Sequence, residues 1–439
     1  MSEKEPLPIA IIGAGPVGLA AAAELLSRGE RPIVFERGAR VGSAVSEWGQ
    51  VRVFSPWRYC VDPAAKALLG RAGWLEPDAD SYPTGRELVD EYLLPLAALP
   101  EFEGLVRVGT TVTAITRSGM DRMTSAGRET QPFALRIDTA DGPGTILVRA
   151  VIDASGTWTS PNPLGAEGLA ALGEPAAAAR IHYGIPDVLG AQRDRYAGRR
   201  VLVVGRGHSA FNTLLDLATL RSQVAATEII WATRKPLSQG AFGGGSDDGL
   251  PERGRLGAAV QILVQGGAAE LLESFAVARL DLLPDGVRVS AQDGRQVTVD
   301  EVISNTGFRP DLALTSELRL SLDEIVEAPR ALAPLIDPNL HSCGTVPPHG
   351  EAELAHPEKD FYVVGMKSYG RAPTFLMLTG YEQVRSIACA LTGDREGARR
   401  VELVLPETGV CSTAPPQPAF GGKLLQVLQV APSPGSCCG

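Results

Sequence analysis

Short apolar runs separated by glycine-rich turns are the main pattern of this chain. Residues 9–12 form such a run, glycines follow at 13, 15 and 18, and residues 19–26 then have the composition of a helix. A second apolar run at 32–35 ends at Glu36. Buried parallel strands are continuous apolar runs, and a helix usually joins one to the next. The segment therefore predicts a strand–turn–helix–strand unit.

The same pattern returns 190 residues later, counted from Gly15 to Gly205. An apolar run at 200–204 precedes the second set of glycines, a helical stretch extends to Leu220, and another strand covers 228–231. Two further segments, 151–156 and 302–307, are strands that end in a glycine turn, and each closes one unit. The glycine-rich residues 237–257 are expected to form a mobile loop.

The first glycine turn has the spacing of a dinucleotide-binding site. Gly13 permits the tight turn, Gly15 lets backbone N–H groups approach a pyrophosphate, and Gly18 allows close packing of helix on strand. Glu36 lies at the end of the second strand, where a carboxylate accepts hydrogen bonds from ribose hydroxyls. The same carboxylate repels a 2′-phosphate, so the site suits FAD or NAD and excludes NADP. An ordinary strand–helix turn with a surface Glu is the alternative.

The second turn differs at the position that recognises the ribose. Gly205 and Gly207 are followed by Ala210 in the third place, and the next strand ends in Thr233-Arg234-Lys235 without a carboxylate. A guanidinium and an ammonium at this point can pair with a 2′-phosphate, and Arg can do so with two parallel hydrogen bonds. The second site is therefore predicted to bind NADPH. The alternative is that both cations are a solvated strand end.

These two sites define the expected fold. We predict an α/β protein with two Rossmann-like dinucleotide-binding domains, one for FAD and one for NADPH. The FAD-binding domain comprises residues 1–175 and 306–400, and the NADPH-binding domain, residues 176–305, is inserted between its two segments. Residues 401–439 are rich in Pro, Gly and Ser towards their end and are expected to form a flexible C-terminal tail.

With both sites placed, the chain resembles the flavoproteins that carry two dinucleotide-binding domains, particularly the flavin-containing monooxygenase branch. The resemblance covers roughly residues 7–400. Besides the two turns, it includes segments at 41–48, 153–156, 182–200, 305–311 and 360–366. It implies that the helix from Thr374 to Ile387 directs its N-terminus at the flavin, where the helix dipole would stabilise anionic reduced flavin.

The resemblance also implies further cofactor contacts. In addition to the residues above, the FAD set comprises Pro16, Arg37, Trp48, Val112, Ser155, Gly156, Gly365, Met366 and Thr374. On the NADPH side it adds His208 and Ser209, and His182 is a candidate for holding NADPH or shaping the flavin entrance. No catalytic side chain is otherwise indicated, because the flavin carries the chemistry in such enzymes.

Three features of the chain depart from the family pattern. Leu172-Gly173 lies nine residues before His182, which matches the monooxygenase fingerprint only in part, and Met366 stands where many relatives have Asp. Cys-x-x-Cys does not occur in the sequence. The redox-active dithiol of thioredoxin reductases and related disulfide reductases is therefore missing, and monooxygenation or direct oxidase chemistry fits better than dithiol exchange.

The cysteines indicate a thiophilic substrate. Cys437-Cys438 is a vicinal pair at the end of the tail and is similar to the C-terminal pair of mercuric reductases. Thiolates are the preferred ligands of soft ions, and Cys411, Cys343 and Cys60 are further candidate ligands for a soft metal or metalloid. Flavin monooxygenases associated with arsenical resistance share this layout. The alternative is that the terminal cysteines are incidental, and Cys389 is expected in the core.

The length and the net charge of the chain restrict the classes of partner that we expect. The 439 residues are enough for two or three domains, the net charge is −10, and no run is rich in Lys and Arg, so nucleic acid is not expected as a partner. No apolar stretch is long enough to span a bilayer, and no signal peptide is recognisable. We expect a cytoplasmic protein with reduced cysteines, acting as a monomer or homodimer without membrane contact.

These observations predict an NADPH-dependent FAD monooxygenase. NADPH would reduce the flavin, molecular oxygen would be the second substrate, and one oxygen atom would go to a soft nucleophile such as a trivalent arsenical. Two alternatives stay open. One is a metal or disulfide reductase whose acceptor docks at Cys437 and Cys438, and the other is a metalloid-binding flavoprotein with little turnover.

Overall fold

The apolar run that follows the N-terminus forms the centre of a parallel five-stranded sheet. The computed structural model describes residues 6–237, 239–243, 250–340, 346–373 and 375–403. Within these ranges the strands are β1 (Ile9–Ile12), β2 (Ile33–Phe35), β3 (Val106–Arg107), β4 (Thr111–Arg117), β5 (Phe133–Thr139), β6 (Gly142–Val148), β7 (Ala150–Asp153), β8 (Ile181–Tyr183), β9 (Arg200–Val204), β10 (Glu228–Ala232), β11 (Glu270–Leu272), β12 (Val277–Leu283), β13 (Gly286–Ala291), β14 (Gln296–Val299), β15 (Glu301–Ser304) and β16 (Phe361–Val363).

The helices connect these strands and cover the faces of the sheets. In the same ranges they are α1 (Pro16–Ser27), α2 (Ser43–Ser46), α3 (Pro63–Arg71), α4 (Gly85–Glu87), α5 (Leu94–Ala97), α6 (Arg193–Tyr196), α7 (His208–Gln223), α8 (Pro251–Gln265), α9 (Ala333–Ile336), α10 (Glu351–Leu354), α11 (Met377–Leu391) and α12 (Arg395–Arg399). A π-helical turn at Leu88–Leu93 lies between α4 and α5, and a 3₁₀ turn at Gly365–Tyr369 follows β16.

Two parallel sheets organise the chain. The first has the order β16-β7-β1-β2-β3 and the second the order β11-β10-β9-β15-β8. All neighbours within both sheets are parallel. Because β16 comes from beyond residue 306, the chain leaves the first unit, builds the second and returns. The expected α/β fold with two Rossmann-like units is confirmed.

Each parallel sheet carries a smaller antiparallel one. Strands β4-β5-β6 belong to the first unit and β12-β13-β14 to the second. The main strands are buried on both faces, since helices cover one face and the antiparallel sheet packs on the other. Central strands with two covered faces must be apolar throughout, which explains the continuous runs in the sequence.

Two chain segments cross between the units side by side. Asn162 N donates to Gly307 O at 2.9 Å, Arg309 N donates to Ser160 O at 2.9 Å, and the rings of Trp158 and Phe308 stack with centroids 4.8 Å apart. Beyond the crossing, Leu164, Ala171 and Ala177 pack into the core of the second unit, so the expected boundary at residue 175 falls inside that packed region. We call residues 158–162 and 305–309 the crossover.

Part of the expected loop at 237–257 is helical. Residues Gln239–Phe242 form a 3₁₀ turn, and α8 begins at Pro251, a residue that suits the first turn of a helix. A side chain at Gly257 would clash with the backbone of Phe242. This glycine therefore serves close packing, which a composition-based prediction of a loop could not distinguish from flexibility.

In the described part of the chain, no helix is both long and apolar enough to cross a membrane. The tail from residue 404 onward, with Cys411, Cys437 and Cys438, lies outside the described residues, as do Cys343 and Thr374.

Candidate functional site

The first glycine turn joins β1 to α1 and leaves space in front of the helix. Gly13 has a φ of 99°, and a Cβ there would lie 2.7 Å from Ala154 O, so only glycine fits. A Cβ on Gly18 would clash with Gly13 O, whereas no atom lies within 4 Å of a Cβ on Gly15. The turn is thus closed on the side of the sheet and open at Gly15.

The start of α1 has no side chain that satisfies its first N–H groups. Gly15 is the N-cap residue and Pro16 occupies the first turn, where its missing N–H costs nothing. Uncapped N–H groups and the positive end of the helix dipole form a site for an anion such as a pyrophosphate. Open space at Gly15 and free donors behind it are what a dinucleotide requires.

Glu36 is buried at the end of β2 and binds the turn itself. Its Oε2 accepts from Ala14 N at 2.9 Å and its Oε1 accepts from Gly38 N at 2.7 Å. Each carboxylate oxygen has a second lone pair, so both can still accept a ribose hydroxyl. Glu36 therefore fixes the shape of the turn in addition to the ribose recognition predicted from the sequence.

The other residues predicted for FAD surround this turn at different depths. Arg37 is exposed, Trp48 is half-buried against Gly85, and Val112 is buried in β4. Ser155 N and Oγ both donate to Asp153 Oδ1, at 3.1 and 2.6 Å, and Gly156 follows with a φ of 68°. The structure brings Ser155 to the first turn, because a Cβ on Gly13 would lie 3.2 Å from Ser155 Cα.

A buried ion pair that the sequence did not reveal ties the closing segment to this site. Lys367 Nζ donates to Asp153 Oδ2 at 2.8 Å and to Ser155 Oγ at 3.0 Å, and the side chains of Lys367 and Asp153 are 1 % and 0 % exposed. Lys367 directly follows Met366, which stands where many relatives have Asp. Only the folded chain shows that this lysine pairs with Asp153.

The closing 3₁₀ turn is held by a second buried network. Gly365 N donates to Gln383 Oε1 at 2.8 Å, and Gln383 Nε2 donates to Ser368 Oγ at 2.9 Å and meets His349 Nε2 at 3.0 Å. Burial lowers the pKa of His349, so its ring accepts this bond in the neutral form. The network fixes Gly365 and Met366 relative to α11.

Helix α11 runs along α1 from the closing turn. It begins at Met377 and ends at Leu391, so the expected bounds of Thr374 and Ile387 are corrected by three and four residues. Its N-cap, Leu376, offers no side-chain hydrogen bond. A Cβ on Gly380 would lie 2.6 Å from the Val17 side chain, which brings the start of α11 beside the first glycine turn.

The second glycine turn repeats the geometry of the first. Gly205 has a φ of 137° and its missing Cβ would clash with Asn305 O, whereas no atom lies within 4 Å of a Cβ on Gly207. Gly207 is the N-cap of α7 without side-chain capping, and Ala210 is fully buried. This turn, too, is closed against the sheet and open at its second glycine.

The remaining residues predicted for NADPH lie around this turn. His208 is the first residue of α7, and its ring contacts Phe54 of the first unit with centroids 5.3 Å apart, while the half-buried Ser209 follows it. Arg234 and Lys235 come after the end of β10 and are exposed, and Arg234 Nη1 donates to Ala166 O at 2.9 Å. Two cations thus follow the end of β10, one and two residues beyond the position that corresponds to Glu36.

His182 lies on the edge strand β8 and does not have the properties of a proton donor. Burial, with a smaller contribution from the Arg195 charge, lowers the pKa of His182 to about 4. Its Nδ1 lies 3.4 Å from Gln192 Nε2. The ring is therefore neutral near pH 7, which leaves a positioning role.

Cys60 is a core residue, so its assignment as a metal or metalloid ligand is corrected. It is 0 % exposed, its Sγ lies 3.5 Å from Ser55 O, and burial raises the pKa of the thiol to about 12. A protonated, inaccessible thiol does not bind a soft ion. Cys389 is also buried, as expected, and within the described ranges no three His, Cys, Asp or Glu side chains are grouped to hold a metal.

Cys60 belongs to a buried polar cluster below α11. Asp62 caps α3 by accepting from Ala65 N at 2.8 Å, and Asp62 N donates to Tyr92 on the π-helical turn. Tyr92 contacts Tyr381, whose hydroxyl donates to Cys60 O at 2.6 Å. Burial raises the pKa of Asp62 to about 8, and its Oδ2 has no hydrogen-bond partner among the described residues.

Comparison with known proteins agrees with this geometry. Residues 11–70 match the model of the NAD(P)-binding Rossmann-like domain. The indole-3-pyruvate monooxygenase YUCCA6 of Arabidopsis thaliana is 28 % identical over 218 residues. That match spans 48 % of this chain and 45 % of the plant protein, less than half of its length.

Solved structures share the fold over most of the chain. The bacillithiol disulfide reductase Bdr (YpdA) of Bacillus cereus has a TM-score of 0.62 at 18 % identity, covering 89 % of this chain and 99 % of its own. A flavin-containing monooxygenase from Stenotrophomonas maltophilia has a TM-score of 0.56 at 22 % identity, with the same coverage. The fold with two Rossmann-like units is thus shared with these solved structures over most of the chain.

Proposed function

We propose that the protein is an NADPH-dependent FAD monooxygenase that oxidises a soft nucleophile, with a trivalent arsenical as the favoured substrate. The observation that carries the cofactor pair is the contrast between two turns of equal geometry. One has a buried carboxylate at the ribose position, and the other has two exposed cations. A carboxylate excludes a 2′-phosphate and cations attract it, so the first turn takes FAD and the second NADPH.

In this proposal, one group of residues binds FAD and another holds the closing segment. Bound FAD would supply hydride acceptance and reaction with oxygen. The uncapped N–H groups behind Gly15 bind the pyrophosphate and Glu36 holds the ribose. The Asp153–Lys367 pair and Gln383 keep the closing segment in place, which orients the start of α11. In this assignment the residues before and after the crossover serve FAD, and residues 163–304, between its two segments, serve NADPH.

The preference for monooxygenation over disulfide reduction rests on the cysteines. Cys-x-x-Cys does not occur in the sequence, and the two cysteines in the described ranges are both buried. A disulfide reductase needs an accessible thiol that can attack its substrate. The plant relative that the chain resembles over about half its length, YUCCA6, is a monooxygenase. Both facts favour oxygen over a disulfide as the electron acceptor.

The soft nucleophile is proposed from the remaining cysteines. Cys437 and Cys438 form a vicinal pair, and Cys411 and Cys343 can supply further thiolates. Trivalent arsenic and other soft centres prefer such ligands. Cys60 takes no part, because it is buried in the core.

The deciding experiment follows NADPH oxidation under air and under nitrogen with a panel of trivalent arsenicals and thioethers. We expect consumption that requires oxygen, rises with one member of the panel and yields that member with one added oxygen atom. Equal consumption under nitrogen with an added disulfide or mercuric ion would contradict monooxygenation. It would favour a reductase that uses Cys437 and Cys438, a function that the similarity to the Bacillus cereus reductase fold makes the second candidate.

A further inference from the structure

Arg206 occupies a position whose meaning becomes clear from the register of the two sheets. Ile12 pairs with Phe35 in the first sheet and Val204 pairs with Ala232 in the second. Gly13 and Glu36 directly follow the first pair, and Gly205 and Thr233 directly follow the second. Ala14 therefore corresponds to Arg206, and Glu36 corresponds to Thr233.

In the first unit, the two corresponding residues are in contact. Ala14 N donates to Glu36 Oε2 at 2.9 Å. The middle residue of the glycine turn thus adjoins the group that selects the ribose. Ala14 is fully buried and contributes only its backbone.

In the second unit, the two corresponding residues are Arg206 and Thr233, which carry a positive charge where Ala14 and Glu36 carry a negative one. Arg206 is exposed, and its side chain forms no hydrogen bond or ion pair with any residue that the structure describes. Thr233 is fully buried and its Oγ1 donates to Lys235 O at 2.9 Å. Replacement of Glu36 by Thr233 removes the carboxylate, and replacement of Ala14 by Arg206 adds a cation beside that position.

We propose that Arg206 binds the 2′-phosphate of NADPH together with Arg234 and Lys235. This inference rests on the proposed function, because it requires NADPH at the second turn. Arg206 approaches from the glycine turn, and Arg234 and Lys235 approach from the end of β10, so the phosphate is held from two elements. Arg234 already donates one N–H to Ala166 O, which leaves Arg206 with the larger number of available donors.

The test measures binding of adenosine 2′,5′-bisphosphate and of 5′-AMP to the full-length, flavin-loaded protein by calorimetry. These ligands differ only in the 2′-phosphate and need no turnover. Arg206→Ala should weaken the bisphosphate about ten-fold, the usual loss for a hydrogen bond to a charged group, and leave 5′-AMP unchanged. Arg206→Lys should lie between, because it keeps the charge and loses the planar fork.

Arg193→Ala is the matched control. Arg193 is an arginine of the same unit whose side chain bonds Gln223 Oε1, away from the turn, so its removal should leave both affinities unchanged. Flavin absorbance and the thermal midpoint report whether each variant is folded. Ala at position 206 is the residue that the first unit carries in the corresponding place, and the side chain it removes is exposed, so folding is expected.

The outcomes separate the two proposals. If Arg234→Ala weakens the bisphosphate and both Arg206 variants bind it as the parent does, Arg206 has no role and the NADPH assignment stands. If the parent protein binds the two ligands equally, the NADPH assignment itself fails. A selective loss in Arg206→Ala establishes the third cation.

Discussion

The two nucleotide-binding units have the same backbone at their turns and differ in the charge placed around it. In both, the first glycine lies against the carbonyl oxygen of a residue that directly follows a neighbouring strand, Ala154 after β7 or Asn305 after β15. The second glycine faces open space. Around the first turn, Ala14 and Glu36 supply a neutral residue and a carboxylate. Around the second, Arg206 and Thr233 supply a cation and a hydroxyl, with Arg234 beside them.

The comparison separates what the turn does from what its neighbours do. Backbone N–H groups and missing side chains make a site for any dinucleotide, because every dinucleotide has a pyrophosphate. The choice between cofactors depends on side chains next to the turn. One backbone device can therefore serve flavin in one place and a phosphorylated nicotinamide cofactor in another.

The largest effect should come from closing either turn. Gly15→Val should give protein purified almost without flavin, and Gly207→Val should retain flavin and lose NADP⁺ binding. The φ angles are −83° and −89°, which valine adopts without strain, so the expected cause is the loss of space for the pyrophosphate. Flavin absorbance and calorimetry with NADP⁺ measure the two effects, and each variant is the control for the other. Loss of both cofactors in either variant would contradict two separable sites.

Lys367→Met should destabilise the first unit by about 3–5 kcal/mol, the cost of leaving a buried charge unpaired. Among the described residues, Asp153 would lose its only cationic partner, and at the equivalent place in the second unit Ser304 and Thr306 share a neutral bond. Chemical denaturation measures the loss. The double variant Lys367→Met/Asp153→Asn removes both charges and should recover much of it. If the single variant is as stable as the parent, the pair does not hold the closing segment.

Arg234→Ala should raise the KM for NADPH and leave that for NADH nearly unchanged, because only NADPH carries the 2′-phosphate. The expected loss is about 1.5–3 kcal/mol, the range for hydrogen bonds to a charged group. Steady-state kinetics with both cofactors measure it. An equal rise for both would show that the 2′-phosphate lies elsewhere. The contrast between Glu36 and the cations after β10 would then no longer support NADPH at the second turn.

Asp62 in the first unit and His182 in the second should give the stability opposite dependences on pH. The folded-state pKa of Asp62 is raised from 3.8 to about 8, so its contribution to stability is lost as pH rises through that window. The folded-state pKa of His182 is lowered from 6.5 to about 4, so its contribution is lost as pH falls through its own window. Each proton changes the unfolding free energy by at most about 1.4 kcal/mol per pH unit.

Asp62→Asn should therefore flatten the decline in stability above pH 4, and His182→Gln should flatten the decline below pH 6.5. Denaturant titrations at several pH values measure both slopes relative to the parent. Asn keeps an acceptor for the N-cap of α3, so the helix start is preserved. Parallel curves for parent and Asp62→Asn would show that the carboxyl ionises normally.

The smallest effect on either unit should come from the tail. Changing Cys437 and Cys438 to Ser, or deleting residues 432–439, should leave NADPH-driven flavin reduction intact. The same changes should weaken binding of arsenite or mercuric ion and lower turnover of a thiophilic substrate at low concentration. Stopped-flow reduction and metalloid titration measure the two properties. Identical substrate handling by intact and truncated protein would remove the basis for a metalloid substrate.

The sequence was sufficient to predict the glycine turns and insufficient to predict the buried ion pair beside the first of them. Gly13, Gly15 and Glu36 are recognisable because each is required by a local geometry with fixed spacing. Lys367 escaped recognition because its partner Asp153 is 214 residues away along the chain, and only the return of β16 to the first sheet brings them together. Ionic pairs between distant segments leave no periodic trace in a sequence.

Two further differences have the same origin. Cys60 was a candidate ligand by residue type, but ligand capacity depends on exposure. Its burial depends in part on α11, whose Tyr381 hydroxyl donates to Cys60 O from 321 residues later in the chain. The glycines of residues 237–257 predicted a loop by composition, whereas Gly257 lets α8 pack against Phe242. Glycine content alone does not distinguish backbone freedom from close approach.

The crossover has a consequence for how the second unit can be exchanged. Its two segments adjoin, because Asn162 N donates to Gly307 O and Arg309 N donates to Ser160 O. A unit whose ends adjoin can be inserted into a loop of another domain without stretching it. A different nicotinamide-binding module could therefore be grafted between residues 162 and 307 while the flavin side keeps its own sheet. In this sense the second unit can be exchanged independently of the first.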